Sequence, residues 1–169
     1  QAGGGSGLGL AVSDSLAQAH QGTISFAPCP EGGTTFTVWL PPAGKHRVHR
    51  VLVVDDDPMV RQLVVQMLSK QGRYRVEAAA SGVDGLLRIG TQTPDLLILD
   101  LKMPGMNGLD VCRAVRRNDQ LKAMKVLVTT GHPHHPDLAE IQAMGYTDCY
   151  VKPLRVETFR ALVDRMMPE

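Results

Sequence analysis

The sequence predicts an α/β protein, a doubly wound parallel sheet built from five β–α repeats, with a small α+β unit in front of it. Three observations carry that prediction. The strands read at 51–54, 95–100 and 125–130 hold continuous apolar runs at 51–54, 96–99 and 126–128, the pattern of strands buried on both faces. Segments with apolar residues at helical spacing separate them, the clearest holding Val60, Leu63, Val64, Met67 and Leu68 at i, i+3, i+4, i+7 and i+8. Residues 1–45 have a different texture, rich in glycine at the start and proline at the end.

The front unit opens with Gly3-Gly4-Gly5-Ser6-Gly7-Leu8-Gly9-Leu10. Leu8, Val12, Leu16 and Ala19 predict a helix, and Gly22 is a plausible stop. Residues 23–27 and 34–40 read as strands, the second with Phe36, Val38 and Leu40 on one face. Pro28-Cys29-Pro30-Glu31-Gly32-Gly33 joins them, so the pair reads as a hairpin, and residues 41–45 read as a linker.

The main unit, 49–169, runs strand, helix, strand, helix through five repeats. Strand 51–54 precedes a helix that Gly72 ends. Strand 74–79 precedes a short helix marked by Val83, Leu86 and Leu87. Strand 95–100 precedes one marked by Leu109, Cys112 and Val115. Strand 125–130 precedes a helix near 137–144 carrying Leu138 and Ile141. Strand 147–151 precedes a last helix with Val156, Phe159, Leu162, Val163 and Met166. Such alternation implies a parallel sheet with helices on both faces.

Composition excludes several classes. The chain has 169 residues, 43% hydrophobic and 21% charged, which is ordinary for a globular protein. A formal net charge of +1 gives no bulk electrostatic reason to expect nucleic acid or a membrane surface as partner. No apolar stretch approaches the roughly 18 residues of a membrane span. The start lacks the apolar region of a signal peptide. Cys29, Cys112 and Cys149 are far apart and odd in number, fitting neither a disulfide framework nor a zinc site, so a reducing cytoplasmic location is expected.

Parallel strands all leave at one edge, and ligands bind at that carboxyl edge. The first strand delivers Asp55, Asp56 and Asp57 there, the third Asp100, the fourth Thr129, Thr130 and Gly131, and the fifth Lys152 before Pro153. Carboxylates can hold Mg²⁺, which favours a few carboxylates plus a phosphate. A lysine and a hydroxyl can bind the remaining phosphoryl oxygens. One carboxylate can attack as a nucleophile and become an acyl phosphate. Asp57 with Pro58 reads instead as a helix cap.

Two resemblances follow from these residues. Gly5-Ser6-Gly7-Leu8-Gly9-Leu10, with the helix and hairpin after it, resembles the C-terminal end of the ATP-binding domain of sensor histidine kinases, over about 40 residues. The family's other ATP-site elements would lie upstream, so 1–45 is expected to be a remnant of that domain plus linker, unable to bind ATP usefully. Asp55-Asp56, Asp100 within Leu-Asp-Leu-Lys-Met-Pro-Gly-Met-Asn-Gly, Thr130 and Lys152-Pro153 resemble a response-regulator receiver domain, over about 120 residues.

The receiver resemblance implies a flavodoxin-like strand order of 2-1-3-4-5 and a role for each residue. Asp100 is the phosphoacceptor. Asp56 and Asp100 ligate Mg²⁺ directly, with the backbone carbonyl of Lys102, and Asp55 acts on the metal mainly through water. Lys152 pairs with Asp100 and then with the phosphoryl group, Thr130 hydrogen-bonds a phosphoryl oxygen, and Pro153 follows a cis peptide bond. Pro104 and Gly105 turn the chain, and Gly108 starts the third helix. The implied partner is a histidine kinase or a histidine phosphotransfer protein, and the implied parent a hybrid sensor histidine kinase. The chain departs from the family at Cys149, where an aromatic residue often stands, with Tyr150 next. His132, His134 and His135 read as a polar loop broken by proline rather than a metal site. A Mg²⁺-dependent aspartyl-phosphate phosphohydrolase is the competing enzyme reading, but such enzymes usually carry a second acid where Lys102 stands. A phosphate-independent interaction module is disfavoured by the complete set of acids, hydroxyl and lysine.

Overall fold

A computed structural model describes residues 8–20, 22–29, 31–40, 47–70 and 72–168. The chain divides into two compact units, Gln1–His46 and Arg47–Glu169. Gly3 to Gly7 and the 41–45 linker, both singled out by the sequence, lie outside the described residues.

The first unit holds α1 (Leu8–Ala19) and the antiparallel pair β1 (Thr23–Pro28) and β2 (Thr34–Trp39). Gly32 and Gly33 adopt φ of 95° and 96° in the connecting loop, a region open to glycine. Gly22 follows the helix where a Cβ would lie 2.5 Å from the Trp39 carbonyl oxygen, so the close approach of helix end and strand requires glycine. The second strand ends at Trp39, one residue short of the expected Leu40. Phe26 faces Phe36 and Ile24 faces Val38 across the ladder, and Phe26, Phe36 and Val38 are all more than half exposed.

The second unit is the expected doubly wound sheet. Its elements are β3 (His49–Val54), α2 (Pro58–Ser69), β4 (Tyr74–Ala79), α3 (Gly82–Thr91), β5 (Leu96–Asp100), α4 (Gly108–Arg116), β6 (Lys125–Thr130), α5 (Asp137–Ala143), β7 (Cys149–Val151) and α6 (Val156–Met166). The order is β4-β3-β5-β6-β7, all parallel, which is 2-1-3-4-5 in the unit's own count. Successive strand residues point to opposite faces. Val51, Val53, Leu96, Ile98 and Leu127 pack with Val64 and Leu68 of α2 and Phe159 and Val163 of α6. Leu52, Val54, Leu97, Leu99 and Val128 pack with Ile89 of α3, Val111, Cys112 and Val115 of α4, and Ile141 of α5. Burial on both faces explains why the central strands read as unbroken apolar runs.

Two elements depart from expectation. Helix α3 forms, but Val83 and Leu87 point to solvent at 53% and 67% exposure, and its inner face is Gly82, Gly85 and Ile89. A Cβ on Gly85 would lie 2.8 Å from Val54 Cγ2, so this helix packs through absent side chains. The fifth strand of the sheet starts at Cys149 rather than 147, because Gly145 (φ 95°) still turns the chain and the ladder begins with Cys149 opposite Val128. All three cysteines are free. Among the described residues, no helix is long and apolar enough to cross a membrane.

Candidate functional site

Each site residue stands where a strand of the sheet runs out. Asp55 follows β3 and is buried, at 1% exposure. Its Oδ1 accepts a hydrogen bond from the Asp57 amide (2.9 Å), and its carbonyl accepts one from Arg61 Nη1 (2.6 Å). Asp57 turns away to cap α2, its Oδ1 accepting from the Met59 amide at 2.8 Å, with Pro58 at the first turn. The cap assignment is correct, which leaves Asp56 exposed beside the buried Asp55.

Asp100 ends β5 and is 5% exposed. Its Oδ2 accepts from the Lys102 amide at 3.2 Å. The loop after Asp100 is held tightly from beneath: Leu101 N donates to Thr129 O (2.9 Å), and Gly108 N to Leu101 O (3.0 Å). A Cβ on Gly108 would lie 2.6 Å from the Asp100 carbonyl oxygen, so the start of α4 needs glycine there. Gly105 turns the loop at φ 74°, and Asn107 caps α4 by accepting from the Asp110 amide.

Lys152 follows β7, its amide donating to Thr130 O at 2.8 Å, and the Lys152–Pro153 bond is cis. Its ammonium reaches back into the sheet edge and stands 2.8 Å from Asp100 Oδ1 and 2.8 Å from Asp55 Oδ2. One cation therefore bridges two buried carboxylates 45 residues apart in sequence. The expected pairing with Asp100 is present; the equal pairing with Asp55 had no local sequence signal, and neither had the Arg61 contact. Thr130, buried at the end of β6, accepts from the His132 amide at 3.0 Å and donates to the His132 carbonyl at 3.3 Å.

Electrostatics follow from this crowding. Burial pushes the Asp100 carboxyl above the usual range; the bond and charge of Lys152 oppose that, and the Asp55 charge adds to it. Burial alone would lower the Lys152 ammonium, but the hydrogen bonds and charges of Asp100 and Asp55 outweigh it, and the net shift is upward.

Asp55, Asp56 and Asp100 each offer a carboxylate oxygen, and these lie within 4.8 Å of one another. Among the described residues this is the one group of three or more histidine, cysteine or acidic side chains so placed. The donors are all oxygen and two of the three carboxylates are buried, a set suited to a hard cation. Mg²⁺ binds oxygens at about 2.1 Å and keeps several waters, so a cluster of this size fits it with some carboxylates bound directly and others through water. The exposed Lys102 lies beside His132, His134 and His135 around an open surface cavity of about 410 Å³.

Comparison with known proteins agrees with this geometry. The family model for the response regulator receiver domain matches residues 51–164. The chain belongs to that family. A model for the histidine kinase-, DNA gyrase B- and HSP90-like ATPases matches residues 1–44. The transcriptional regulatory protein AfsQ1 of Streptomyces coelicolor is 38% identical over 105 residues, covering 62% of this chain and 45% of that protein. The sensor protein EvgS of Escherichia coli is 29% identical over 178 residues, covering 96% of this chain and 15% of that protein. This receiver chain thus spans less than half the length of either relative. Among solved structures, the chemotaxis protein CheY4 of Vibrio cholerae is 34% identical with a TM-score of 0.65, covering 71% of this chain and 99% of that one.

Proposed function

We propose that the receiver unit is the phosphoacceptor of a two-component phosphorelay and that Asp100 is the residue that becomes phosphorylated. The observation that carries this reading is the position of the Lys152 ammonium, 2.8 Å from Asp100 and from Asp55 in a cluster of three carboxylates. A buried carboxylate bonded by a lysine beside further acids is disposed to attack an anionic phosphorus once enough positive charge is present.

In the proposed reaction an Asp100 carboxylate oxygen attacks the phosphorus of a phosphohistidine on a histidine kinase or histidine phosphotransfer protein. The P–N bond breaks, its electron pair stays on the imidazole nitrogen, and an acyl phosphate forms on Asp100. Asp56, Asp100 and the Lys102 carbonyl would hold Mg²⁺, with Asp55 acting mainly through water. Bound there, the cation neutralises charge on the transferring phosphoryl oxygens. Lys152 moves from carboxylate to phosphoryl oxygen, and the Thr130 hydroxyl donates to another. The protein's part is chiefly orientation and charge neutralisation.

The order of the two matches, ATPase-like at 1–44 and receiver at 51–164, supports a hybrid sensor histidine kinase as parent, with residues 1–45 the end of its ATP-binding domain and linker. Relay to a phosphotransfer protein or feedback on that kinase then follows, in the cytoplasm. Lys102 stands two residues after Asp100, where the phosphohydrolase reading wants an acid, so that reading gains nothing.

The test is incubation with Mg²⁺ and acetyl phosphate, followed by intact mass. The wild type gains one phosphoryl group that hydroxylamine removes, and Asp100→Asn gains none. Equal labelling of Asp100→Asn, or no labelling of the wild type, overturns the assignment.

A further inference from the structure

The edge of the sheet opposite the carboxylates carries a second feature. A cavity of about 490 Å³ opens between the ends of α4 and α6, the start of β6 and the turn before β7. Its wall includes four cations, Arg116, Lys122, Lys125 and Arg165, with Tyr146 and a single acid, Asp148. The chain as a whole carries 18 Lys and Arg against 17 Asp and Glu, so four to one is a local excess rather than a reflection of composition.

The acids nearby do not cancel that excess. Asp148 stands 3.9 Å from Arg165, and Lys122 is paired at 2.8 Å with Asp119, itself largely exposed. Among the described residues, no carboxylate lies within 4.0 Å of the Arg116 or Lys125 side chains. Lys125 donates to the Met166 carbonyl and so ties the end of α6 to the floor. Helix dipoles account for Arg116 and Arg165, each near a helix C-terminus. The end of α6 accounts for Lys125 too, through its bond to the Met166 carbonyl, but not for Lys122, which follows α4 on separate backbone.

The wall is also fixed before any ligand arrives. Gly145 turns at φ 95°, its amide bonds to the Gln142 carbonyl (2.9 Å), and the Tyr146 amide bonds to the Ile141 carbonyl (3.2 Å). The Tyr146 ring packs against the core, while its hydroxyl makes no hydrogen bond among the described residues. Converging cations with a spare hydroxyl on rigid backbone suit a compact anion of high charge, because charge-assisted bonds to phosphate are strong and directional. The volume lies in the range of small-molecule sites.

We propose that this cavity is a second, anion-binding site of the receiver unit that takes a diphosphate or triphosphate group, either free or as the tail of a nucleotide. Strand β6 begins at Lys125 and ends at Thr130, so this site stands about 17 Å from the carboxylate cluster along the strand. It does not depend on the phosphoacceptor reading, and its ligand needs no metal.

The experiment is an amide NMR titration of the full ¹⁵N-labelled chain in EDTA, with pyrophosphate, a nucleoside diphosphate, the nucleoside alone and inorganic phosphate. Saturable shifts are expected at Arg116, Gly145, Tyr146 and Asp148. Arg116→Gln and Lys122→Gln each weaken binding about tenfold, as loss of one charge-assisted bond does, and Asp100→Asn leaves it unchanged. Both cation variants keep the wild-type spectrum elsewhere, which separates lost binding from lost folding. Pyrophosphate binding as tightly as the nucleotide identifies a free anion as sufficient; tighter nucleotide binding identifies the nucleotide tail. The proposal is overturned if neither diphosphate saturates at millimolar concentration, if inorganic phosphate binds as tightly as pyrophosphate, if shifts fall only on Gly9 or Asp100, or if the two cation variants bind like wild type.

Discussion

Replacing Lys152 with methionine tests the electrostatic account of the site most directly. The substitution keeps the length of the side chain and removes the charge that lies 2.8 Å from both Asp55 and Asp100. At about 4 Å between charge centres and an effective dielectric of about 20, each contact is worth about 4 kcal/mol before desolvation. Losing one partner of a buried pair costs about 3–5 kcal/mol in practice. The Lys152 side chain is 24% exposed, so solvent screens part of that, and a loss of about 2–3 kcal/mol is expected in EDTA. For a domain of this size that lowers Tm by about 6–12 °C. Two further consequences have definite signs. Without the lysine, burial and the Asp55 charge raise the Asp100 carboxyl against only the Lys102 amide bond, so it rises further. A carboxyl whose folded value exceeds its unfolded one binds more protons when folded, so the deficit of the variant shrinks as pH falls. Mg²⁺ must also stabilise the variant more than the wild type, because it no longer shares the carboxylates with an ammonium. Thermal melts by circular dichroism at several pH values, with EDTA and with Mg²⁺, measure all three. Equal Tm for both proteins in EDTA, or an equal gain from Mg²⁺, refutes the reasoning.

Three other outcomes are expected. Gly108→Ala places a Cβ 2.6 Å from the Asp100 carbonyl oxygen and 2.8 Å from Leu101 Cα, backbone that cannot swing aside. It should cost about 1–3 kcal/mol in urea unfolding and slow acetyl phosphate labelling by displacing the acceptor. His49 is buried with Nδ1 unbonded; burial lowers its pKa, Asp95 opposes this, and Arg47, Arg73 and Lys125 reinforce it. The unfolded chain therefore binds the extra proton first, and urea-measured stability should fall as pH drops below about 6.5, a dependence that His49→Phe flattens. Burial pushes the Cys112 thiol up to about 12, so mass spectrometry after iodoacetamide at neutral pH should find it unmodified in the native protein and modified after unfolding.

Most of the fold was readable because the central strands announce themselves. Val51 to Val54 and Leu96 to Leu99 are buried on both faces, and no polar residue interrupts them. Asp55, Asp100, Thr130 and Lys152 were readable as a group because parallel strands deliver their ends to one edge, whatever the intervening sequence. What stayed hidden is non-local or made of absences. The inner face of α3 is built on Gly82 and Gly85, and an apolar pattern cannot mark a contact made by missing side chains. The second partner of Lys152 lies 97 residues away, and its distance is set by sheet register and loop course rather than by any motif. Arg61 reaches the Asp55 carbonyl from one turn inside α2, a contact available to any long donor at that position.

The structure narrows how phosphorylation could be read out. On β7, Cys149 and Tyr150 point to opposite faces of the sheet, Cys149 among the α4 and α5 residues and Tyr150 among those of α6. The Tyr150 ring meets Phe159 edge-on at 5.2 Å. Its hydroxyl lies 2.7 Å from Thr158 Oγ1 and accepts from the Arg155 amide at 3.2 Å. The one aromatic residue of this strand is thus committed to α6, and its opposite face carries Cys149 and Val151, neither of them aromatic. A rotamer change in an aromatic at position 149 is not available to this chain. Thr130, in contrast, is bonded through its hydroxyl to both the amide and the carbonyl of His132. On the phosphoacceptor reading, that hydroxyl cannot reach a phosphoryl oxygen and keep both bonds. The bond to the His132 carbonyl is then given up, and that exposed backbone turns to water or to another partner. The segment from Gly131 to Pro136, which leads directly into α5, is therefore the first structure beyond the acceptor pocket that a phosphoryl group on Asp100 would disturb.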